Sequence, residues 1–341
     1  MISVTAILYL GAIYVTSPRI HNERIYRPYL DYAIAYLDYP STQEDYDYYK
    51  EMISSLNSVK AILPFTDNSR ITNKNEMRIE NSLPIIMFTT QENMMTFAST
   101  VPELLGCEAI PKDGEAVISS SLATNVNLHL NDYLPIDMNE NDSTRYKIVS
   151  IVNSNNFFAY GVDTKLTSYS VLILRGGSKE AFADDLLSVP ANYNGIYLNT
   201  YQSLMDSSNR DLGSFNIIFY LSLFLITTVL VITINATFVG TYEKRTHEFS
   251  IYQALGFHRL KIMSKIFKEI LLIDLIGMTV ALIISIVTLF VLNKMLLYPK
   301  GLGLSYVNEL STTSILISNI SIILFSIVFR IRWFLRLQSA T

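Results

Sequence analysis

The sequence predicts a membrane protein in which an α-helical transmembrane bundle of four spans bears a large mixed α+β extracytoplasmic domain. Half of the 341 residues are apolar and only 16% are charged, whereas a soluble domain usually has about a quarter of its residues charged. Charged residues are common from residue 17 to 213 and scarce in three later segments. Within the charged region, short β-branched and aromatic segments alternate with helical patterns, which favours a mixed α+β domain.

Three later segments are long enough to cross a bilayer, whose hydrocarbon core of about 30 Å requires roughly 20 apolar helical residues. They lie between Asp211 and Glu243, between Asp274 and Lys294, and between Glu309 and Arg330. Soluble cores rarely use charge-free runs of this length. We therefore predict transmembrane helices 2, 3 and 4 at residues 214–239, 270–293 and 312–333, with a short outer loop at 294–311.

A fourth apolar segment opens the chain, and no charge precedes Arg19. It lacks the basic leading region and the small-residue cleavage site of a secretory signal peptide. We interpret residues 1–17 as transmembrane helix 1 with a missing or very short cytoplasmic start. A signal-like anchor is the alternative, and a truncated chain or one half of a larger membrane protein stays open.

Lys and Arg placement predicts the orientation, because cytoplasmic loops are enriched in these residues. The segment 240–269 and the tail 334–341 are predicted to be cytoplasmic, since basic residues cluster in and beside them. With four spans, the N-terminus is also cytoplasmic and residues 18–213 lie outside. The chain from Arg19 to Leu212 has 25 acidic and 15 basic residues. Its single cysteine, Cys107, excludes an intramolecular disulfide and favours a bacterial plasma membrane.

Within the outer domain, tyrosines near helical spacing predict a helix over Tyr29–Tyr39. Further helices are predicted over Glu44–Val59, Glu92–Leu105 and Ser178–Leu187. Strands are predicted where β-branched and aromatic residues lie between turn-forming residues. The predicted strands are Val59–Pro64, Leu83–Thr89, Ala116–Ser119, Tyr146–Val152, Ser168–Leu174 and Gly195–Leu198.

The motifs of common catalytic and cofactor sites are absent from the sequence. There is no GxxxxGK[ST] phosphate-binding loop and no GxSxG nucleophile motif. The four histidines are far apart, and no HxxxH or CxxC pair suggests a metal site. We predict a non-catalytic membrane subunit with no cofactor of its own. Asp274, about one turn inside the third span, is either an interfacial residue paired with a lysine or a headgroup, or part of a relay.

The most informative segment is Tyr242–Ile270, between the second and third spans. Phe249, Tyr252 and Leu255 recur every three residues, as on one face of an amphipathic helix. Gly256 follows at the position where a helix often ends with a left-handed residue. The pattern predicts a short rigid helix along the cytoplasmic membrane face. It is either a plain surface helix or a docking element for a partner.

This segment resembles a signature of the FtsX-like/MacB-type ABC transporter permease family, roughly R-x-x-E-[IF]-x-[IL]-x-[RK]-A-[LI]-G. The usual basic residue before the alanine is Gln253 here. The stretch Gly114–Ala123, followed by Leu128–Leu134, is similar to a second family pattern, E-V-V-I-S-x-x-L-A…L-x-x-G-D, with Asn131 in place of its glycine. The matching residues of the first signature are Arg245, Glu248, Phe249, Ile251, Ala254, Leu255 and Gly256.

The resemblance implies a MacB-like periplasmic core domain at 18–213 and ATPase coupling by the seven matching residues. It also implies a permease homodimer or heterodimer that works with a separate ABC ATPase subunit, which binds the ATP. The expected function is transport by mechanotransmission: export or extraction of peptide, lipid or drug. The alternative is an FtsX-like regulator that controls a cell-wall hydrolase or senses antimicrobial peptides through an extracytoplasmic protein or peptide ligand. A membrane-anchored structural protein without an ATPase is a third possibility, and no feature suggests nucleic-acid binding.

Overall fold

A computed structural model gives the structure of the chain. It describes residues 2–37, 43–67, 69–77, 79–105, 107–135, 145–166, 170–189 and 196–338. The chain forms two compact units. We call residues 17–212 and 294–303 the outer unit, after the predicted location of this domain, and residues 1–16, 213–293 and 304–341 the membrane unit.

The outer unit is built on an eight-stranded sheet of order β10-β1-β9-β2-β5-β8-β6-β7, with a separate β3–β4 hairpin. The pairs β5–β8 and β6–β7 are parallel, and the other neighbours are antiparallel. The strands are β1 Tyr32–Leu37, β2 Val59–Thr66, β3 Arg70–Lys74, β4 Glu80–Pro84, β5 Ile86–Phe88, β6 Glu115–Ser119, β7 Lys147–Val152, β8 Ala159–Val162, β9 Ser170–Arg175 and β10 Ile196–Asn199.

Helices cover both faces of this sheet. Helix α1, Ile2–Tyr26, begins in the membrane unit and continues into the outer unit. The other α-helices of the outer unit are α2 Gln43–Ser54, α3 Gln91–Ala98, α4 Ser120–Val126 and α5 Lys179–Ser188. Short 3₁₀ turns lie at Arg27–Leu30, Pro102–Leu104 and Tyr298–Lys300. One face of the sheet packs against α3 through Phe97. Ile53 of α2 and Phe182 of α5 lie in the core on the opposite face. Since period-2 alternation sends neighbouring residues to opposite faces, the central strands are apolar on both sides.

The predicted helix over Tyr29–Tyr39 is wrong where the structure describes it, because Tyr32–Leu37 forms strand β1. Tyr32, Ile34 and Tyr36 also fit a period of two. Tyr32 and Ile34 lie in one core cluster, whereas Ala33 lies in the cluster on the other face. The spacing of the tyrosines is compatible with a helix and with a strand, and burial on both faces favours the strand. Residue 39 lies outside the described residues.

The remaining outer-domain predictions match the structure in part. Five predicted strands lie at β2, β6, β7, β9 and β10, although residues 168, 169 and 195 fall outside the described part of the chain. The predicted strand Leu83–Thr89 is divided between β4 and β5, which belong to different sheets. The helix predicted over Glu44–Val59 ends at Ser54, and the one over Glu92–Leu105 ends at Ala98 before a 3₁₀ turn. Strands β3 and β8 and helix α4 were not predicted.

Asn131, which replaces the glycine of the second signature, adopts a left-handed conformation with φ 72°. Asparagine is among the few non-glycine residues that tolerate this region. The substitution therefore keeps the backbone geometry that a glycine would favour at this turn.

The membrane unit contains the first part of α1 and four further helices. They are α6 Tyr201–Lys244, whose first residues belong to the outer unit, α7 Thr246–Ala254, α8 Arg259–Leu292 and α9 Glu309–Gln338. Two helical stretches, Tyr201–Ile234 and Leu260–Lys300, are long and apolar enough to cross a membrane, and Glu309–Phe325 is apolar but shorter. The predicted total of four spans remains a prediction.

Several small residues of the membrane helices are buried. Helices α8 and α9 pack against each other. Ala281 and Ser285 of α8 are buried, as are Ser311 and Ser318 of α9. Small side chains allow close approach of helix backbones in lipid. Asp274 is also buried, and its Oδ1 atom has no hydrogen-bond partner among the described residues.

A buried ionic cluster lies in the outer unit where α1 ends. His21 Nδ1 is 3.6 Å from Glu76 Oε2, and Arg24 Nη1 is 3.8 Å from Glu76 Oε1. The side chains of His21 and Glu76 are fully buried. Burial raises the pKa of Glu76 to about 7, although nearby backbone N–H groups and Arg24 favour the carboxylate. Burial, followed by the charge of Arg24, lowers the pKa of His21 to about 3.

These opposite shifts give a testable pH dependence of stability. Because the Glu76 pKa is raised on folding, its contribution to stability is present below about pH 4.5 and is lost as pH rises through about 7. Because the His21 pKa is lowered, its contribution is present above pH 6.5 and is lost on acidification toward pH 3. Glu76→Gln removes only the first effect. The melting temperature of the variant, relative to that of the unmodified chain, should therefore rise between pH 5 and pH 8.

Thermal unfolding of the detergent-purified full chain at several pH values measures this difference. A pKa shift of the size seen for Glu76 can change the free energy of unfolding by at most roughly 3 kcal/mol. Glu80→Gln is the matched control, since Glu80 lies on the same hairpin and its side chain is 66% exposed. A melting-temperature difference for Glu76→Gln that stays constant from pH 5 to pH 8 would contradict the prediction.

Candidate functional site: the α7–α8 segment

Helix α7 is a separate nine-residue helix between the two long apolar helices α6 and α8. Only Arg245 separates the end of α6 at Lys244 from the start of α7 at Thr246. The interruption of the helix is therefore one residue long, and the described contacts of α7 are made with α8. All seven residues predicted to couple to an ATPase lie on α7 or immediately beside it.

Arg245 links α7 to α8 through two carboxylates. Its Nε atom donates to Glu248 Oε2 at 2.8 Å, and its Nη1 atom donates to Glu269 Oε2 at 3.0 Å. These two hydrogen bonds, Glu248 first, raise the pKa of Arg245 above its already high ordinary value. Its guanidinium carbon also lies 5.7 Å from the centre of the Phe249 ring. The arginine of the family signature thus holds the start of α7 against the first turns of α8.

A small apolar cluster joins the inner side of α7 to α8. Phe249 and Ile262 are buried, and Tyr252 and Ile266 pack against them. Lys265 Nζ donates to the Tyr252 hydroxyl at 3.0 Å and lies 4.6 Å from the centre of its ring. The inner side of α7 is therefore fixed by packing as well as by the Arg245 ion pairs.

The other side of α7 is exposed and apolar. Ile251 is 49% exposed and Leu255 is 69% exposed, and Ala254 between them is also exposed. Phe257 and Leu260 extend this surface into the following turn, at 46% and 68% exposure. We call these five residues the α7 apolar surface. The prediction that Leu255 shares a face with Phe249 and Tyr252 is wrong, because only the latter two contact α8.

Gly256 ends α7 in the left-handed conformation that the sequence predicted, with φ 82°. The Phe257 N–H donates to the Tyr252 carbonyl at 3.0 Å, a hydrogen bond across five residues that is typical of a Schellman cap. The rings of Tyr252 and Phe257 meet edge to face at 5.7 Å, which supplies the apolar contact of that motif. His258 Nδ1 then accepts from the Leu260 N–H and begins α8.

The structure shows three contacts of this segment that the sequence analysis missed: Glu269, Ile262 and Ile266 of α8. They recur at spacings of four and three residues, which places them on one helix face. This amphipathic pattern at the start of α8 was a signal that could have identified the partner face of α7. In the part of the chain that the structure describes, no group of three or more His, Cys, Asp or Glu side chains could hold a metal ion.

Two long helices that are apolar enough to cross a membrane are joined by a short, capped helix. Residues 218–338 match the model of the FtsX-like permease C-terminal family. The resemblance that the α7 signature carries is therefore confirmed over residues 218–338, which are similar to the C-terminal region of FtsX-like permeases. None of the curated proteins matches the chain in sequence.

Several solved structures are similar to part of the chain at low identity. The periplasmic region of MacB from Actinobacillus actinomycetemcomitans is 9% identical, with a TM-score of 0.28, over 52% of this chain and 92% of that one. The extracellular domain of the noncanonic ABC-type transporter YknZ from Gram-positive bacteria is 11% identical, with a TM-score of 0.27, over 49% and 99%. A domain of a putative permease from Porphyromonas gingivalis is 14% identical, with a TM-score of 0.24, over 44% and 74%. The family assignment rests on residues 218–338 and not on these likenesses.

Proposed function

We propose that this chain is the permease subunit of an ABC transporter and that α7 couples it to a separate ATPase subunit. ATP hydrolysis by that subunit drives movement of the outer unit, which exports or extracts a peptide, lipid or drug. In this proposal the chain crosses the bacterial plasma membrane four times, with both termini in the cytoplasm. It pairs with a second permease chain, identical or related, and each permease binds one ATPase.

The observation that supports this proposal most strongly is the α7 apolar surface. Ile251 and Leu255 remain exposed although the opposite side of the same helix is packed against α8. Burying a side chain of this size contributes about 1.5–3 kcal/mol. A rigid helix with two such anchors side by side is suited to a groove on a partner protein, a common mode of recognition.

The attachment of α7 to α8 gives a route for movement. The Arg245 ion pair with Glu269 and the Phe249–Ile262 contact join α7 to the first turns of α8. Helix α8 is continuous over its 34 residues, from these turns to Leu292. A displacement of α7 by a moving ATPase would therefore shift α8 rather than bend a flexible loop.

The proposal predicts that the purified chain alone does not hydrolyse ATP, because it has no phosphate-binding loop. Phosphate release is measured with the chain in detergent or nanodiscs, first alone and then with a P-loop ATPase from the same cells. Turnover is expected only with both subunits. Sustained hydrolysis by the chain alone, free of contaminating ATPase, would contradict the assignment as a non-catalytic subunit.

A further inference from the structure

One arginine of α1 contacts four separate segments of the outer unit. Arg24 Nε donates to the carbonyl of Asn155 at 2.6 Å, and Nη2 donates to Ser121 Oγ at 3.0 Å and to the carbonyl of Gly301 at 2.9 Å. Nη1 faces the buried carboxylate of Glu76. We call this set of contacts the Arg24 junction, and all of its residues belong to the outer unit.

The segment that contains Gly301 follows α8 and precedes α9, so it connects two helices of the membrane unit. Residues 294–303 nevertheless belong to the outer unit. Leu302 is only 4% exposed and lies in an outer-unit core cluster with Leu122 of α4 and Ile118 of β6. The predicted short outer loop at 294–311 therefore has two parts, and the first part, residues 294–303, is packed into the outer unit.

Backbone contacts fit this loop closely against α4. Gly301 has φ 64°, and a Cβ atom added there would overlap the backbone oxygen of Ser121. Asn125 Nδ2 donates to the carbonyl of Lys300 at 3.1 Å and to that of Lys74 at 2.9 Å. Asn125 thereby joins the loop to the β3–β4 hairpin. Only glycine permits the approach seen at position 301.

The electrostatic setting makes Arg24 difficult to replace. Its side chain is only 18% exposed, and its guanidinium lies 4.6 Å from the centre of the Phe157 ring. The Glu76 carboxylate has no hydrogen bond of ordinary geometry to any described residue. Removal of one partner from a buried charged pair leaves an uncompensated group and is strongly destabilising.

We infer that Arg24 is a positioning residue that locks the loop 294–303 to the outer end of α1. We further infer that the Arg24 junction transmits movement of α8 and α9 to the outer unit. The inference rests on the proposed function for the source of that movement. Its structural part, the locking of the loop by Arg24, does not depend on an ATPase. Chain continuity supplies the connection, since α1 enters the junction at one side and the loop joins α8 to α9 at the other.

The test is hydrogen–deuterium exchange of the purified full chain, read on peptides that cover residues 295–303. The Gly301 and Leu302 N–H groups are hydrogen bonded within the loop and should exchange slowly in the unmodified chain. Arg24→Met should accelerate their exchange at least ten-fold, while peptides from β2 and β9 remain protected. Arg175→Met is the matched control, because Arg175 also binds a carboxylate, Asp31, and a backbone carbonyl, that of Gly177, in the same unit. It should leave the loop protected.

Unchanged exchange of the loop in Arg24→Met would overturn the inference. If Arg24→Met unfolds the whole outer unit, Arg24→Lys decides, since it keeps a positive charge beside Glu76 but lacks the Nη2 donor that binds the Gly301 carbonyl. Faster exchange of the loop in Arg24→Lys supports the junction, and a loop that stays protected overturns it.

A second arm measures the complex with the ATPase. Addition of nucleotide should change exchange in the β3–β4 hairpin of the unmodified complex, and Arg24→Met should abolish that change. A change that persists in the variant overturns the transmitting role. If no ATPase complex assembles, the proposed function fails, whereas the loop measurement still decides the locking by Arg24.

Discussion

Gly256→Val is expected to weaken or abolish binding of the ATPase subunit, whereas Gly256→Asn should retain it. Gly256 has φ 82°, and apart from its chain neighbours no atom of the described residues lies within 4 Å of the position that a Cβ would occupy. The cost of valine is therefore conformational and not a clash with neighbours. It amounts to about 1–2 kcal/mol for a left-handed residue and is larger for a β-branched one.

The consequence is local because the cap determines where α7 ends. Loss of the left-handed residue removes the hydrogen bond from Phe257 to Tyr252 and the contact between their rings. Leu255 and Phe257 would then change position on the α7 apolar surface. Asparagine tolerates the left-handed region and supports the same cap. Co-purification of the ATPase is measured with Gly256→Val and with Gly256→Asn. Equal binding of the ATPase by the two variants would contradict the role of the cap.

Glu248→Lys tests the charged part of the same segment. The Arg245–Glu248 pair is partly exposed, with 54% of the Glu248 side chain accessible, and pairs of this kind contribute at most about 1 kcal/mol. The variant should therefore fold normally yet lose ATPase binding or coupling. Lys112→Glu, an exposed change on the outer unit, should leave both unaffected. Normal assembly and activity of the Glu248→Lys variant would contradict a coupling role and would indicate that α7 is a plain membrane-surface helix.

The predicted orientation should give an all-or-none difference in cysteine labelling. Lys179→Cys, at an exposed position on α5, should react with a membrane-impermeant maleimide in intact cells. Ser264→Cys, at an exposed position near the start of α8, should react only after the cells are permeabilised. The physical basis is the concentration of Lys and Arg in residues 240–269, which favours the cytoplasmic side.

Both labelling variants are made on a Cys107→Ser background to remove the native thiol. Cys107 is partly buried, and its Sγ atom donates to the Ala109 carbonyl at 3.0 Å, a contact that a serine hydroxyl can reproduce. The reverse labelling pattern would contradict both the orientation and the assignment of residues 18–213 to the outside.

The features that the sequence predicted correctly depend on local signals. The left-handed cap at Gly256 follows from a glycine directly after a helical pattern. Strands β2, β6, β7 and β9 follow from short apolar runs between turn-forming residues. The family signature is likewise contiguous in sequence, and the match of residues 218–338 confirms it.

The features that the sequence did not predict depend on tertiary contacts. The tyrosines of Tyr32–Leu37 fit both a helix and a strand, and burial between β9 and β10 selects the strand. Leu255 fits the inner face of α7 by spacing, but the position of α8 leaves it exposed. The role of residues 294–303 depends on Arg24 and Ser121, which are far from this loop in sequence and contact it only in the folded outer unit.

The most direct test of the central claim is photo-crosslinking from the α7 apolar surface in intact cells. Leu255→p-benzoylphenylalanine places the reactive group at an exposed residue of the α7 apolar surface, and Leu130→p-benzoylphenylalanine places it at an exposed residue of the outer unit. The account predicts that position 255 forms a covalent adduct with a P-loop ATPase, that Gly256→Val abolishes this adduct, and that position 130 does not form it. Adducts of position 255 with lipid alone, in a folded chain and in the presence of the ATPase, would contradict the account.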